Sequence, residues 1–391
     1  MAKENRTRSA ALRFVLIIGV ANFFADFTYE GARGVIGPFL GSLGATGAIV
    51  GFVAGLGELI GYGLRSVSGY LADRTRRYWL VTFIGYAINM LAVPALALAG
   101  NWLVGAGLII AERTGRAIRK PVVEAMLSHS GKRIGAGWAF GLNEALDQGG
   151  AMLGPVIVAL VLFRQKSYQN AFGLLLISAL ICLGIIGIAR MFHSDKQESG
   201  AAADVLKPSH QSKAYWIYLA AGALIAAGFA DFSLIGFHFA KASVVPERAI
   251  PGYYAVAMGT GAVGSLFFGR LLDRLGAVVI IFIFLGSAFF APLVFFGGAI
   301  VAFVGMALWG LGMGAQDSLL KAVLAPVISA KQSSAFGLFD TAYGIAWFIG
   351  SAVMGLLYDV SKLGLVVFAV LLQLAALPLF VLANQRAANR S

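Results

Sequence analysis

Ionisable side chains recur inside stretches of this chain that are otherwise apolar. In the first stretch Asp26, Glu30 and Arg33 stand at i, i+4 and i+7, one face of a helix, with Asn22 and Tyr29 nearby. Glu58 and Arg65 fall in the second, and Glu112, Arg113, Arg116 and Arg119 in the fourth, where Glu112, Arg116 and Arg119 share a face. The fifth carries Asn143, Glu144, Asp147 and Gln148. Later stretches hold Asp231 and His238, then Gln316, Asp317 and Lys321, then Asp340 with Tyr343. At about 1.5 Å per helical residue, Asp26, Glu58, Glu112 and Asp147 fall near the middle of their stretches. A charge in hydrocarbon costs at least ~2.5 kcal/mol, so such groups face a cavity or a partner. A carboxylate moved into low dielectric can exchange a proton near neutral pH. The competing reading is structural: Glu30 with Arg33, or Glu112 with Arg116, locking helices together. Asp26 is then the acid left without a partner on the first face.

These groups must be positioned by membrane helices. The chain has 391 residues, 59% hydrophobic and only 12% charged, with mean hydropathy +0.83. Soluble domains carry about 25% charged residues. Its 50 glycines fit close helix packing in lipid. The single cysteine, Cys182, allows no intrachain disulfide, and four histidines without an HExxH pattern offer no metal site. The net charge of +12 is spread along the chain rather than gathered in one basic domain, which argues against nucleic-acid binding. The basic start (Lys3, Arg6, Arg8, Arg13) is read as the flank of a retained first helix, because Asp26, Glu30 and Arg33 do not suit a signal peptide.

A helix needs about 20 apolar residues to cross a bilayer. Twelve spans are expected, near 12–40, 45–68, 78–99, 101–120, 134–163, 168–192, 214–241, 250–270, 277–297, 299–325, 333–357 and 361–384. The polar stretch 193–213 divides them into a six-helix bundle at 1–192 and another at 214–391, with a cytoplasmic linker between. Most of the 30 basic residues fall on the side that holds both ends, with Arg164, Lys166, Lys241, Arg248 and Lys362 opposite. The positive-inside rule therefore puts both termini in the cytoplasm of a multi-pass cytoplasmic-membrane protein.

Short motifs recur between the halves. Gly69-Tyr70-Leu71-Ala72-Asp73-Arg74 and Gly269-Arg270-Leu271-Leu272-Asp273-Arg274 both read G-x-L-x-D-R. Ala139-Phe140-Gly141-Leu142 is matched by Ala335-Phe336-Gly337-Leu338, which sets Glu144 opposite Asp340. Repeated halves point to alternating access around a central cavity. Gly259-Thr260-Gly261-Ala262-Val263-Gly264 matches GxGxxG but lies inside a span with no preceding strand, so it is read as packing glycines.

Twelve spans with G-x-L-x-D-R after the second and again after the eighth resemble the major facilitator superfamily. The first copy continues Thr75-Arg76-Arg77, with Arg76 where that family has glycine, and the second keeps Gly276 but lacks the basic end. The resemblance implies an all-α fold of two pseudo-symmetric six-helix bundles. In it Gly69, Asp73, Arg74 and Arg77, with Gly269, Asp273 and Arg274, form a gating latch, and the first, fourth, seventh and tenth spans line the path. Gly150, Gly154 and Pro155 resemble the fifth-helix motif of its drug–proton antiporters, without the usual following glycine pair.

The expected function is secondary transport, as proton-coupled export of a small organic, amphiphilic or cationic compound. Uptake of a metabolite and metal-ion export are the alternatives. Of Phe229, Phe232, Phe237, Phe239, Trp309, Phe339 and Trp347, many are expected to face lipid or pack, and some to form an apolar wall opposite the charged groups. Candidate substrate or proton-coupling residues are Asp26, Tyr29, Glu30, Arg33, Glu58, Glu112, Arg113, Arg116, Asn143, Glu144, Asp147, Asp231, His238, Asp317 and Asp340. Lipids, protons and the solute are the expected partners, the working unit a monomer, and no cofactor is expected. An enzyme would need a nucleophile–base or metal constellation, and none is found.

Overall fold

A backbone in hydrocarbon must satisfy its own polar groups, and an uninterrupted apolar segment does so as a helix. A computed structural model describes residues 2–75, 77–131, 136–192, 212–276, 278–324, 327–328 and 332–388. The described residues are helical, without strands. The first six helices are α1 (Ala2–Ser42), α2 (Gly47–Thr75), α3 (Tyr78–Ala95), α4 (Trp102–Gly131), α5 (Ala136–Gln165) and α6 (Tyr168–Phe192). There follow α7 (Lys213–Gly228), α8 (Phe232–Lys241), α9 (Ile250–Leu275), α10 (Val278–Ser287) and α11 (Phe290–Phe296). The last are α12 (Ala299–Gly314), α13 (Leu320–Leu324), α14 (Gln332–Val360) and α15 (Lys362–Ala388). Among the described residues, eleven helical stretches are long and apolar enough to span a bilayer. The fourth helix is 30 residues long but too charged to be one of them. This is the twelve-helix, all-α membrane architecture expected from the sequence.

Several expected spans differ in detail. The fourth is expected at 101–120, yet α4 continues through Pro121 to Gly131. The seventh is two helices, α7 and α8, interrupted at Phe229–Asp231. The tenth is α12 and α13 joined by a π turn at Ala315–Leu319. The two G-x-L-x-D-R segments are not loops: Gly69–Arg74 lies in the last turns of α2 and Gly269–Arg274 in those of α9. Gly276 (φ +72°) ends α9 in the left-handed region and donates its N–H to Leu272 O. Arg74, Arg77 and Arg274 are exposed, whereas the side chains of Asp73, Asp273 and Glu144 lie outside the described residues.

By contact the chain divides into two compact units, Met1–Arg33 with Gly63–Ala203, and Gly34–Tyr62 with Asp204–Ser391. In the first unit α3 packs on α4 and α6, and α5 on α4 and α6. Gly85 and Gly115 let α3 and α4 touch backbone to backbone: a Cβ at Gly85 would stand 2.7 Å from Arg119 N. Gly150 and Gly154 do the same between α5 and α1, where a Cβ would collide with the carbonyls of Phe23 and Phe27. The antiporter-like segment thus has a packing role that is independent of transport direction. In the second unit α7 packs on α14 and α15, and α9 on α12. Gly261 of the GxGxxG segment meets Gly310 O, a Cβ there standing 2.8 Å away. Gly261 and Gly264 are contacts between α9 and α12, the packing role expected of the segment.

Candidate functional site

In the first unit α1, α4 and α5 surround a cavity of about 360 Å³. From α1 come Asn22, Asp26 and Tyr29, spaced i, i+4 and i+7 along one face. From α4 come Arg116, Arg119, Lys120, Val123, Glu124 and Leu127, a single stripe over three turns. From α5 come Asn143 and Asp147, one turn apart. Such a volume lies at the small end of the range for organic-ligand sites.

Arg119 organises the lining. Its Nε–H donates to Asn89 Oδ1 (3.1 Å) and Nη1 to Asn22 Oδ1 (3.2 Å). Its Nη2 stands 3.8 Å from Asp26 Oδ1, and its guanidinium lies 4.4 Å over the Tyr86 ring. Tyr86 also donates its hydroxyl to Asn22 Oδ1. Asn22 then donates Nδ2–H to Asn143 Oδ1 (2.8 Å), and Asn143 donates to Asp147 Oδ2 (3.1 Å). One polar chain therefore links α3, α4, α1 and α5. Most of its buried polar atoms find a partner within the chain, which lets a polar network hold helices together in low dielectric; Asp147 Oδ1 is a buried atom without a hydrogen bond.

Two pairings differ from the sequence expectation. Asp26 is not without a partner, because Arg119 of α4 reaches across from the neighbouring helix. Arg116 stacks 4.3 Å over the Tyr29 ring, a contact that the pairing with Glu112 along one helix did not suggest. Glu112 instead lies 3.5 Å from Arg113 Nε and accepts Asn89 Nδ2–H at 2.9 Å. The expected Glu30–Arg33 pair is present, 3.8 Å apart and buried, away from the cavity lining.

The remaining candidates belong to the second unit. Glu58 is buried there. Asp231 is the N-cap of α8, accepting Ser233 N–H at 2.8 Å. The break it caps is closed by distant side chains: Trp309 Nε1–H donates to Ala230 O (2.9 Å) and Gln373 Nε2–H to Gly228 O (3.1 Å). His238 is buried and hydrogen-bonded through Nδ1 to the Tyr358 hydroxyl (3.1 Å). Asp317 is exposed in the π turn, next to Gln316, which accepts the Tyr343 hydroxyl at 2.5 Å. Asp340 is half-buried on α14.

Of the two expectations for Phe229, Phe232, Phe237, Phe239, Trp309, Phe339 and Trp347, packing or an apolar wall, packing holds. All seven are at most 4% exposed. Phe229 packs against Trp309 (5.5 Å) and Trp347 (6.0 Å), and Phe232 against Trp309 (6.2 Å).

Sequence reasoning missed Lys120, Glu124, Tyr86 and Asn89. The first two carried a signal: Lys120 is one helical turn beyond Arg116, and Glu124 one beyond Lys120. Ending the span at residue 120 placed them in a loop. Tyr86 and Asn89 stand three apart on an apolar helix and carried none.

The sequence profile of the Major Facilitator Superfamily matches residues 18–351. An uncharacterized protein of Mycobacterium tuberculosis (strain ATCC 25618 / H37Rv) is 37% identical over 388 residues, covering 96% of this chain and 95% of that protein. An uncharacterized MFS-type transporter of Methanocaldococcus jannaschii is 26% identical, with 92% of each chain covered. Among solved structures, a mutant of the nucleoside transporter NupG has a TM-score of 0.76 at 14% identity, covering 94% of this chain and 100% of that one. That likeness shows the fold. With the profile spanning most of the chain and a near-full-length relative at this identity, the protein belongs to the Major Facilitator Superfamily, a transporter family and not an enzyme family.

Proposed function

We propose that this transporter is a proton-coupled secondary carrier whose small organic solute binds in the first-unit cavity, and that it works as an exporter in the cytoplasmic membrane with both termini inside. The observation that carries the reading is a cavity of about 360 Å³ edged by a carboxylate, Asp26, that is braced but not hydrogen-bonded by its cation. At 3.8 Å the Asp26–Arg119 contact is too long for a direct hydrogen bond. Asp26 can therefore take up and release a proton while Arg119 stays held by Asn22 and Asn89. Asp147, held by Asn143 at the same cavity, is the second proton candidate.

Export rests on the resemblance of Gly150–Pro155 to an antiporter segment. An amphiphilic or cationic solute would use Asp26 and Asp147 as anchors. The lining also carries three basic residues, Arg116, Arg119 and Lys120, matched in number by the acidic Asp26, Glu124 and Asp147.

The test is a flux assay with the purified protein in liposomes carrying an imposed pH gradient, run against a panel of small organic solutes. Solute should move opposite to the proton gradient, and a protonophore should abolish the movement. Solute moving with the protons would replace export by uptake. Gradient-driven flux that survives the protonophore would overturn proton coupling.

A further inference from the structure

The boundary between the two compact units runs through α1 and α2. Residues 34–62, which are the end of α1, the turn and the first half of α2, belong with the second unit. There the backbone of this hairpin lies directly on α8 and α14. A Cβ at Gly37 would collide with Ser233 O, and one at Gly51 would stand 2.5 Å from Ser351 O and 2.8 Å from Gly355 Cα. The first two N–H groups of a helix have no partner within it. At the start of α2 both are accepted by Asp359, near the end of α14: Gly47 N–H donates to Oδ1 at 3.1 Å and Ala48 N–H to Oδ2 at 2.7 Å. The carboxylate also meets the positive end of the α2 dipole. Lys241 Nζ stands 3.8 Å from Asp359 Oδ1, but its side chain is 56% exposed, so that ion pair adds little. Deeper along α14 the seam is underpaired. Among the described residues, Ser351 Oγ and Trp347 Nε1 are buried polar atoms without a hydrogen-bond partner. The two residues are one turn apart and at most 2% exposed. Ser351 faces α2, its Cβ 2.9 Å from where a Cβ on Gly55 would stand.

We infer that the seam between the α1–α2 hairpin and α8 and α14 is a metastable clasp: Asp359 latches it shut, and the unpaired Ser351 hydroxyl and Trp347 indole N–H bias it toward parting. A buried polar group without a partner costs free energy that is recovered once water reaches it. The closed seam bears that cost and the parted seam does not. Close backbone packing and the Asp359 hydrogen bonds act in the opposite sense. The opposing terms leave two arrangements near in free energy, the property that lets a packed interface switch rather than deform. A carrier needs such a seam wherever solute enters or leaves. The inference holds whatever the solute and whether or not protons drive it.

The test uses the full-length protein in detergent with Ala54→Cys as a reporter. Ala54 stands two turns after Gly47 on the same face of α2 and is buried, so maleimide reaches a thiol there when the seam parts. The natural Cys182, buried in the first unit, reports general loosening in the same sample. Ser351→Ala removes the unpaired hydroxyl and should slow labelling of the reporter about five-fold, with no fall in the unfolding midpoint. Asp359→Ala strips two N–H groups of their acceptor and should speed labelling about ten-fold, with Cys182 unchanged. Asp359→Asn keeps one strong acceptor and should fall between, which preserves the test if the alanine variant does not fold. A seam that only packs would label faster in both variants. Faster or unchanged labelling in Ser351→Ala would overturn the inference. So would unchanged or slower labelling in the Asp359 variants, or a rise there that Cys182 matches.

Discussion

Replacing Arg119 with alanine is expected to lower stability by about 3–5 kcal/mol and to abolish transport. The side chain is buried, and its loss strips a donor from both Asn22 Oδ1 and Asn89 Oδ1 while leaving Asp26 without its cation. Tyr86 would lose the guanidinium lying 4.4 Å over its ring. Arg119→Lys should fall between, because an ammonium cannot hold two asparagine oxygens in the fixed directions of a guanidinium fork. Thermal unfolding in detergent and solute flux in liposomes measure both effects. An unfolding midpoint unchanged in Arg119→Ala would show that the polar chain from α3 to α5 contributes nothing to the unit's stability.

The second large effect is expected at Asp26. Asparagine keeps the size and one acceptor of the side chain but cannot carry a proton, and Arg119 keeps Asn22 and Asn89 as partners. Asp26→Asn should therefore eliminate accumulation driven by a pH gradient, leave solute exchange at equal pH within a few-fold of normal, and change stability little. Glu30→Gln is the contrasting case. Its partner Arg33 is buried at 4% exposure and 3.8 Å away, so the loss should appear in thermal stability rather than in coupling. Normal pH-driven flux in Asp26→Asn would remove helix α1 from proton coupling and turn attention to Asp147.

Helix content was legible in the sequence because hydrocarbon leaves the backbone few alternatives. The span read at 168–192 is α6 to the residue. Asp26, Tyr29, Arg116, Asn143 and Asp147 were all singled out by charge or polarity in apolar surroundings, and all line the cavity. What was not legible depends on contacts between distant segments. The break between α7 and α8 shows no proline, and its exposed carbonyls are satisfied by Trp309 and Gln373, far along the chain. Asp231 therefore looked like a free intramembrane acid when it is a helix cap. Lys120 and Glu124 were hidden by averaging, since a window dense in charge reads as a loop even when its charges lie on one stripe of α4. The aromatic residues of the second unit could not be assigned to wall or core from spacing alone, and ring-to-ring packing places them in the core.

The central claim, that solute binds between α1, α4 and α5 of the first unit, is tested most directly at Val123. This side chain lines the cavity, is 3% exposed, and carries no role in the polar chain. The natural cysteine, Cys182, is buried, so a Val123→Cys variant presents one new thiol to label. Any solute that the protein transports in liposomes should slow maleimide labelling of that thiol, with half-protection at the concentration that half-saturates flux. A transported solute that leaves the labelling rate unchanged at saturating concentration would contradict the account.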